Sequence, residues 1–299
     1  MKGLSAPLTK IMNRFFICVL GIVLLGSAAL LVPAKLGATQ SPADEHVRLE
    51  LVSERNALVP GEELLLGVRF ILEDGWHTYW VNPGDSGEAP HIEWHLPRGF
   101  QPGAIQWPYP ERLTTPPFTD YGYAHQVLIM VPVRLPARLK EGEAEKVGVQ
   151  VHFLICRDVC IPGQKQLELS LPVRSHAEAS RARELFARAR DRVPKPAPRN
   201  WKVSAASIGD EFILDLHIEG PSKVLQFFPL NAEQIENAAS QDVNVIPGGV
   251  RLHLKKSNHL LKPIARLQGA IVVVDSERAY SVDIPVSRSI KNAHAQMAD

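Results

Sequence analysis

The chain has 299 residues, with 33 basic and 32 acidic side chains and a formal net charge of +1. Charges of both signs are interspersed, and no basic run is interleaved with aromatic residues, which argues against nucleic-acid binding. The hydrophobic content of 45% is enough for packed cores, and the length favours two domains.

Residues 1–34 are predicted to be a signal peptide or an N-terminal anchor. Basic Lys2, Lys10 and Arg14 precede an apolar run over residues 15–32, and residues 32–34 (VPA) fit a cleavage site. Because the run is close to the length of a membrane span, an uncleaved anchor is the alternative. In both cases the remaining chain is exported to a compartment where disulfides persist, and it meets the membrane only through this segment.

Residues 45–174 are predicted to be a β-sandwich, because short alternating segments follow one another without a helix signal. The predicted strands are 47–52, 63–72, 76–80, 91–96, 126–135, 147–155 and 166–173. The proline-dense stretch 107–123 is predicted to be a loop, since so many prolines do not fit a central ladder. This loop either covers a nearby site or is an ordinary surface loop.

Residues 175–199 are predicted to be a helix followed by a Pro-rich linker. Ala182, Leu185, Phe186 and Ala189 form one apolar stripe at helical spacing, and residues 194–198 (PKPAP) end the helix. Residues 200–288 return to short β segments and predict a second sandwich, with a possible short helical insert at 231–239. The fold class is therefore all-β.

Cys156 and Cys160 are the candidate chemical centre. The third cysteine, Cys18, lies in the export segment. A disulfide needs Cα atoms within about 7 Å, whereas four extended steps cover roughly 13 Å, so pairing requires a tight turn. So short a loop gives only about 2 kcal/mol of stabilisation, which favours a reversible redox pair over a structural bridge. A third interpretation is a Cu(I) site formed with a histidine.

Three residues near this pair are candidate modulators. His152 falls on the same strand face as Cys156, where it can accept a proton, bind a metal or simply be solvated. Arg157 favours a thiolate and Asp158 opposes one. The sequence contains neither a H-E-x-x-H motif nor a G-x-S-x-G elbow, so a zinc enzyme or a serine hydrolase is not indicated.

Four motifs together resemble the N-terminal periplasmic domain of DsbD-type thiol:disulfide interchange proteins and of the related ScsB-type copper-sensitivity suppressors. They are residues 75–87 (GWHTYWVNPGDSG), 105–110 (IQWPYP), 121–123 (YGY) and 153–163 (FLICRDVCIPG). The resemblance covers residues 45–175 well and residues 200–288 less specifically.

The resemblance implies immunoglobulin-like domains in the periplasm and a redox-active Cys156/Cys160 pair. A membrane thiol transporter or thioredoxin-like domain would donate electrons, and oxidised periplasmic proteins would accept them. By the same likeness Cys160 forms the mixed disulfide and Cys156 resolves it. Phe118 and Tyr121, in or beside a cap loop at 108–120, would shield the pair.

Neither an organic cofactor nor a resident metal is implied by the resemblance. The sequence lacks the family's multi-span membrane domain and thioredoxin-like domain, so any thiol:disulfide interchange activity is expected to depend on an external electron donor. A copper-tolerance protein that binds Cu(I) through the same cysteines is the alternative function.

Overall fold

A computed structural model describes residues 41–218 and 225–290. The predicted export segment and Cys18 lie outside the described residues. Those that are described belong to one compact unit. No helix in this part of the chain is long and apolar enough to cross a membrane.

Ten strands build the first sandwich, after a short 3-10 helix at Pro42–Glu45. In chain order they are β1 Val47–Ser53, β2 Glu63–Leu72, β3 His77–Gly84, β4 His91–His95, β5 Gln101–Pro102, β6 Glu111–Thr115, β7 Phe118–Ala124, β8 Gln126–Arg134, β9 Ala144–Cys156 and β10 Cys160–Pro172. One sheet has the order β1-β2-β8-β5 and the other β10-β9-β3-β7-β6, with β4 also paired to β9.

The core lies between these two sheets and follows the period of two in the sequence. On β9, Val149, Val151, Phe153 and Ile155 are buried, while His152 on the opposite face is exposed. Residues such as Val68 and Phe70 of β2 meet this row from the other sheet. The alternation therefore leaves every second side chain of β9 on the outer face, where Cys156 also lies.

The proline-dense stretch is a hairpin in the structure, which corrects the loop prediction. Strands β6 and β7 pair directly, with Thr115 opposite Phe118 across the Pro116–Pro117 turn. The prolines fall before β6 or in the turn, and β6 is the last strand of its sheet, so no proline interrupts a central ladder.

Helix α1 covers Arg183–Arg192, the second half of the predicted helix. Phe186 and Ala189 are buried as the apolar stripe predicts. The first half is not helical, because Glu178 and Ser180 hydrogen-bond the backbone of Asn56 and Glu54. Tertiary contacts thus override the local helix preference there.

The second sandwich is built from β11 to β18. Their bounds are β11 Lys195–Pro196, β12 Lys202–Ile208, β13 Glu211–His217, β14 Leu225–Pro229, β15 Asp242–Ile246, β16 Gly249–Lys255, β17 Arg266–Val273 and β18 Arg278–Ser287, with a 3-10 helix at Val274–Ser276. The order is β14-β17-β18-β12-β13-β16-β15, and β11 pairs with β18. The prediction of an all-β chain with two immunoglobulin-like sandwiches, a short helix and a Pro-rich linker is confirmed. The exact domain boundaries stay predictions.

The helical insert expected at 231–239 is wrong. The segment is a series of turns, because its backbone bonds go to other strands: Glu236 N–H donates to the Lys255 carbonyl, and Ile235 forms a bridge with Lys256. This turn segment carries Asn237, a buried residue that faces the first sandwich.

The two sandwiches share a buried apolar contact. Phe228 of β14 packs its ring against Trp80 and Tyr121, with centroids 6.3 and 5.3 Å apart. Asn82 donates a hydrogen bond of 2.7 Å to the carbonyl of Pro229. Together these contacts place the second sandwich against the sheet that carries the cysteines.

Candidate redox site

Cys156 and Cys160 face each other across the β9–β10 hairpin. Cys156 ends β9, Cys160 begins β10, and the three residues between them form the turn. Their Cα atoms are 4.1 Å apart and their sulfur atoms form a disulfide of 1.97 Å. The tight turn predicted from the spacing is therefore confirmed.

The two sulfur positions differ in access. Cys156 is 3% exposed, whereas Cys160 is an exposed residue at the start of an edge strand. A visiting thiol therefore has a direct approach to Cys160 and a blocked one to Cys156. Thiol exchange at a disulfide depends on which sulfur is attacked and on access to it.

Tyr79 covers the buried sulfur. Its hydroxyl donates a hydrogen bond of 2.7 Å to Sγ of Cys156 and lies 3.7 Å from Sγ of Cys160. The ring is held from behind by Gly87, where a Cβ atom would come within 2.1 Å of the tyrosine ring. Burial raises the pKa of Tyr79, so the hydroxyl keeps its proton and remains a donor at neutral pH.

His77 and Asp120 form a second polar layer beside Tyr79. His77 pairs with Cys156 in the sheet, and its ring meets that of Tyr79 edge-on at 5.2 Å. Its Nε2 atom lies 3.9 Å from Oδ2 of Asp120 and, among the described residues, has no hydrogen-bond partner. Burial lowers the pKa of His77, and the Asp120 carboxylate offsets this in part.

The loop after β3 holds the Asp120 carboxylate. The backbone N–H and the hydroxyl of Ser86 donate to it at 2.8 and 2.9 Å. Burial raises the pKa of Asp120, and these two hydrogen bonds counteract the rise. The adjacent Asp85 accepts a 2.7 Å hydrogen bond from the backbone of Thr119, which ties the loop to β7.

Comparison with known proteins places this site in a family. Residues 48–172 match the model of "Thiol:disulfide interchange protein DsbD, N-terminal". Residues 48–172 form a DsbD-type N-terminal domain. No curated protein matches the sequence of the chain.

A solved structure shares the fold of the DsbD-type domain together with the second sandwich. The N-terminal periplasmic domain of ScsB from Proteus mirabilis is 16% identical, with a TM-score of 0.63, and the match covers 84% of this chain and 97% of that one. At this identity the likeness shows the fold. BcpA, the major pilin subunit of Bacillus cereus, matches 82% of this chain and 68% of its own at 10% identity, with a TM-score of only 0.26.

The predicted modulators Arg157 and Asp158 pair with each other beside the disulfide of the DsbD-type domain. Nε of Arg157 lies 3.0 Å from Oδ2 of Asp158, and the guanidinium also lies 5.2 Å from the centre of the Trp76 ring. Both side chains are largely exposed, so solvent screens them. Their opposing effects on a thiolate therefore largely cancel.

Within the described residues, no hydrogen bond, ion pair or ring contact joins His152 to either cysteine. It lies opposite His91 in the β4–β9 pairing, with ring centroids 6.4 Å apart. Within residues 41–218 and 225–290, no three His, Cys, Asp or Glu side chains are grouped to hold a metal ion. Among these residues the copper interpretation therefore depends on the two cysteines alone.

The two predicted shielding rings occupy different faces of β7. Tyr121 is fully buried, and its hydroxyl points away from the disulfide to Asn237 of the second sandwich. Phe118 is 48% exposed beside the hairpin turn, and within the described chain it makes no aromatic ring contact. The ring whose hydroxyl contacts the disulfide is that of Tyr79, and the shielding roles of Phe118 and Tyr121 stay predictions.

Sequence reasoning missed Tyr79, His77 and Asp120 as site residues. The first two lie at alternate positions of the motif at 75–87, so they share a face. What the sequence does not reveal is that β3 runs beside the end of β9, where His77 faces Cys156. With that pairing known, alternation alone brings Tyr79 to the sulfur atoms.

Proposed function

We propose that this chain is a periplasmic thiol–disulfide exchange module in which Cys156 and Cys160 alternate between a disulfide and a dithiol. The observation that carries the proposal is the unequal pair: an exposed Cys160 bonded to a buried Cys156 that a tyrosine hydroxyl contacts. Membership of residues 48–172 in the DsbD-type family supports it, as does the periplasmic origin of the matched ScsB domain.

Reduction of the pair begins at Cys160. A thiolate of an external dithiol donor attacks Sγ of Cys160, the Cys156–Cys160 bond breaks, and Cys156 leaves as a thiolate. The Tyr79 hydroxyl stabilises this leaving group, because a hydrogen bond to an ionised acceptor is stronger than one to a neutral acceptor. The second thiol of the donor then releases Cys160, and two electrons have entered the pair.

Delivery of electrons reverses these roles. The Cys160 thiolate attacks the disulfide of an oxidised periplasmic protein, and a mixed disulfide forms. Cys156 attacks Sγ of Cys160, releases the acceptor as a dithiol and restores the disulfide. A thioredoxin-like domain or a membrane thiol transporter is the class of donor that this cycle requires. Interchange activity therefore depends on a dithiol donor outside the two sandwiches.

Two cysteine variants test the cycle. Cys156→Ser leaves Cys160 without its resolving partner, so a mixed disulfide with a thioredoxin-like protein accumulates on a non-reducing gel. Cys160→Ser removes the accessible sulfur and abolishes exchange. Exchange at the wild-type rate in both variants would exclude this function, as would a wild-type disulfide that such a protein cannot reduce.

A further inference from the structure

Asn237 of the second sandwich directs its side chain into the first. It is 7% exposed and lies in the turn segment between β14 and β15. Its Oδ1 atom accepts a 2.8 Å hydrogen bond from the Tyr121 hydroxyl, and its Nδ2 atom donates one of 2.8 Å to Oδ1 of Asp85. The guanidinium of Arg112 holds its backbone carbonyl. Both ends of the amide are thus used across the interface.

Asp85 connects this amide to the loop behind the disulfide. Its other oxygen accepts the Thr119 N–H, and its own N–H donates to the Thr119 carbonyl at 3.2 Å. These bonds fix the loop at the residue just before Ser86. Asp85 is itself an exposed residue, and the amide of the buried Asn237 supplies a neutral donor to one of its carboxylate oxygens.

The next two residues of the loop reach the redox pair. Ser86 donates twice to Asp120, and Gly87 backs the ring of Tyr79, whose hydroxyl contacts Cys156. Every step from Asn237 to the sulfur atom is therefore a hydrogen bond, a peptide linkage or a van der Waals contact. A shift of the loop would move the support of Tyr79 directly.

We propose that Asn237 is a positioning residue for thiol exchange: through the loop at 85–87, the second sandwich fixes Tyr79 at the sulfur of Cys156. The second sandwich is then part of the redox machinery and not a spacer. This inference rests on the proposed exchange function and adds to it a residue nearly 80 positions away in sequence from any cysteine.

The choice of Asn over its isostere Asp is the basis of the test. Asn237→Asp keeps the shape but replaces the Nδ2 donor by a carboxylate oxygen next to Asp85, so attraction becomes repulsion. We expect dithiothreitol to reduce the disulfide of this variant roughly three- to tenfold more slowly than that of the wild type, within the range of long-range coupling effects. The measurement is the rate of disulfide loss in the whole protein, followed by alkylation.

Tyr109→Phe is the matched control. The Tyr109 hydroxyl also bridges the sandwiches, donating to the Glu277 carbonyl, but it has no link to the loop at 85–87. Its removal should leave the rate unchanged. If Asn237→Asp does not fold, Tyr121→Phe removes one hydrogen bond from Asn237 without adding charge, and a smaller slowing is expected.

A double-mutant cycle with Tyr79→Phe separates positioning from general destabilisation. If Asn237 acts through Tyr79, Asn237→Asp causes no further slowing when the tyrosine hydroxyl is already absent. Equal slowing in both backgrounds would overturn the inference, as would a wild-type rate in the folded Asn237→Asp protein. A wild type that does not exchange at all would instead refute the proposed function.

Discussion

At the scale of single residues, the two cysteines differ through their surroundings and not through their neighbours in sequence. Arg157 and Asp158 neutralise each other in solvent, while Tyr79 contacts the buried sulfur from a distant strand. In the proposed cycle this environment favours Cys160 as the sulfur that partners attack and Cys156 as the leaving group. Such a division is what directional exchange requires.

Removing one hydroxyl tests this assignment. In Tyr79→Phe the Cys156 thiolate loses its hydrogen bond, and a bond to a charged acceptor is worth about 1.5–3 kcal/mol. Reduction of the disulfide by dithiothreitol should therefore slow by roughly tenfold or more, because about 1.4 kcal/mol corresponds to a factor of ten. Stopped-flow or quenched alkylation measures the rate.

Tyr123→Phe provides the control for that experiment. The Tyr123 hydroxyl is also buried and donates to the Pro108 carbonyl, yet it lies on the neighbouring strand and does not contact sulfur. This variant should lose stability but keep the exchange rate. Equal rates in Tyr79→Phe and the wild type would show that the hydroxyl does not assist the leaving group.

The pH dependence of stability reports on His77. Burial lowers the pKa of His77 in the folded protein, although Asp120 opposes the effect. At pH values below the unfolded-state pKa of 6.5, unfolding therefore takes up a proton. The folded state therefore loses stability as the pH falls from about 7 to 5. His77→Gln should lose less free energy of unfolding over this interval, measured by urea titration.

The groups that face His77 define the limits of this test. Asp120, whose pKa is raised by burial, has the opposite effect on stability: its protonation favours the folded state as the pH falls further. The Tyr79 hydroxyl stays protonated throughout. The exposed His91 on β4 supplies the matched variant, His91→Gln. A wild-type slope in His77→Gln would contradict the buried, neutral state of this ring.

At the scale of elements, period-two alternation predicted the strands and the faces that they bury. The inner face of β9 follows from it, as do the β segments predicted over residues 200–288, while the cysteine turn follows from the spacing of the two cysteines. Where the predictions were wrong, nonlocal contacts were responsible. The distant strand β3 pairs with β7 and so holds the β6–β7 hairpin in its sheet. Side-chain hydrogen bonds from Arg112 and Tyr121 hold segment 231–239 in turns.

The hairpin elements also explain why the site could be predicted only in part. Cys156 and Cys160 are close in sequence, so their pairing depends on one turn. Tyr79 reaches them from 77 positions away in the sequence, and Asp120 approaches through β7. A single sequence shows which residues alternate along a strand more clearly than it shows which strands become neighbours.

At the scale of the whole molecule, the interface makes the two sandwiches one structural unit. Phe228 is 1% exposed and belongs to the same buried cluster as Trp80 and Tyr121 of the first sandwich. Domains joined by a buried apolar interface are expected to unfold together. The wild type should therefore show coincident urea transitions by tryptophan fluorescence and by far-ultraviolet circular dichroism.

Phe228→Ala should uncouple these transitions. Truncation of a buried phenylalanine costs about 3–5 kcal/mol, and here the loss falls on the contact between the sandwiches. Phe212→Ala is the control, because Phe212 is equally buried but belongs to the second sandwich's own core. It should lower the midpoint while keeping the two probes coincident. Separate transitions in the wild type would show that the interface does not couple the unfolding of the two sandwiches. The proposed positioning of the redox site by Asn237 would then lack a rigid second sandwich to support it.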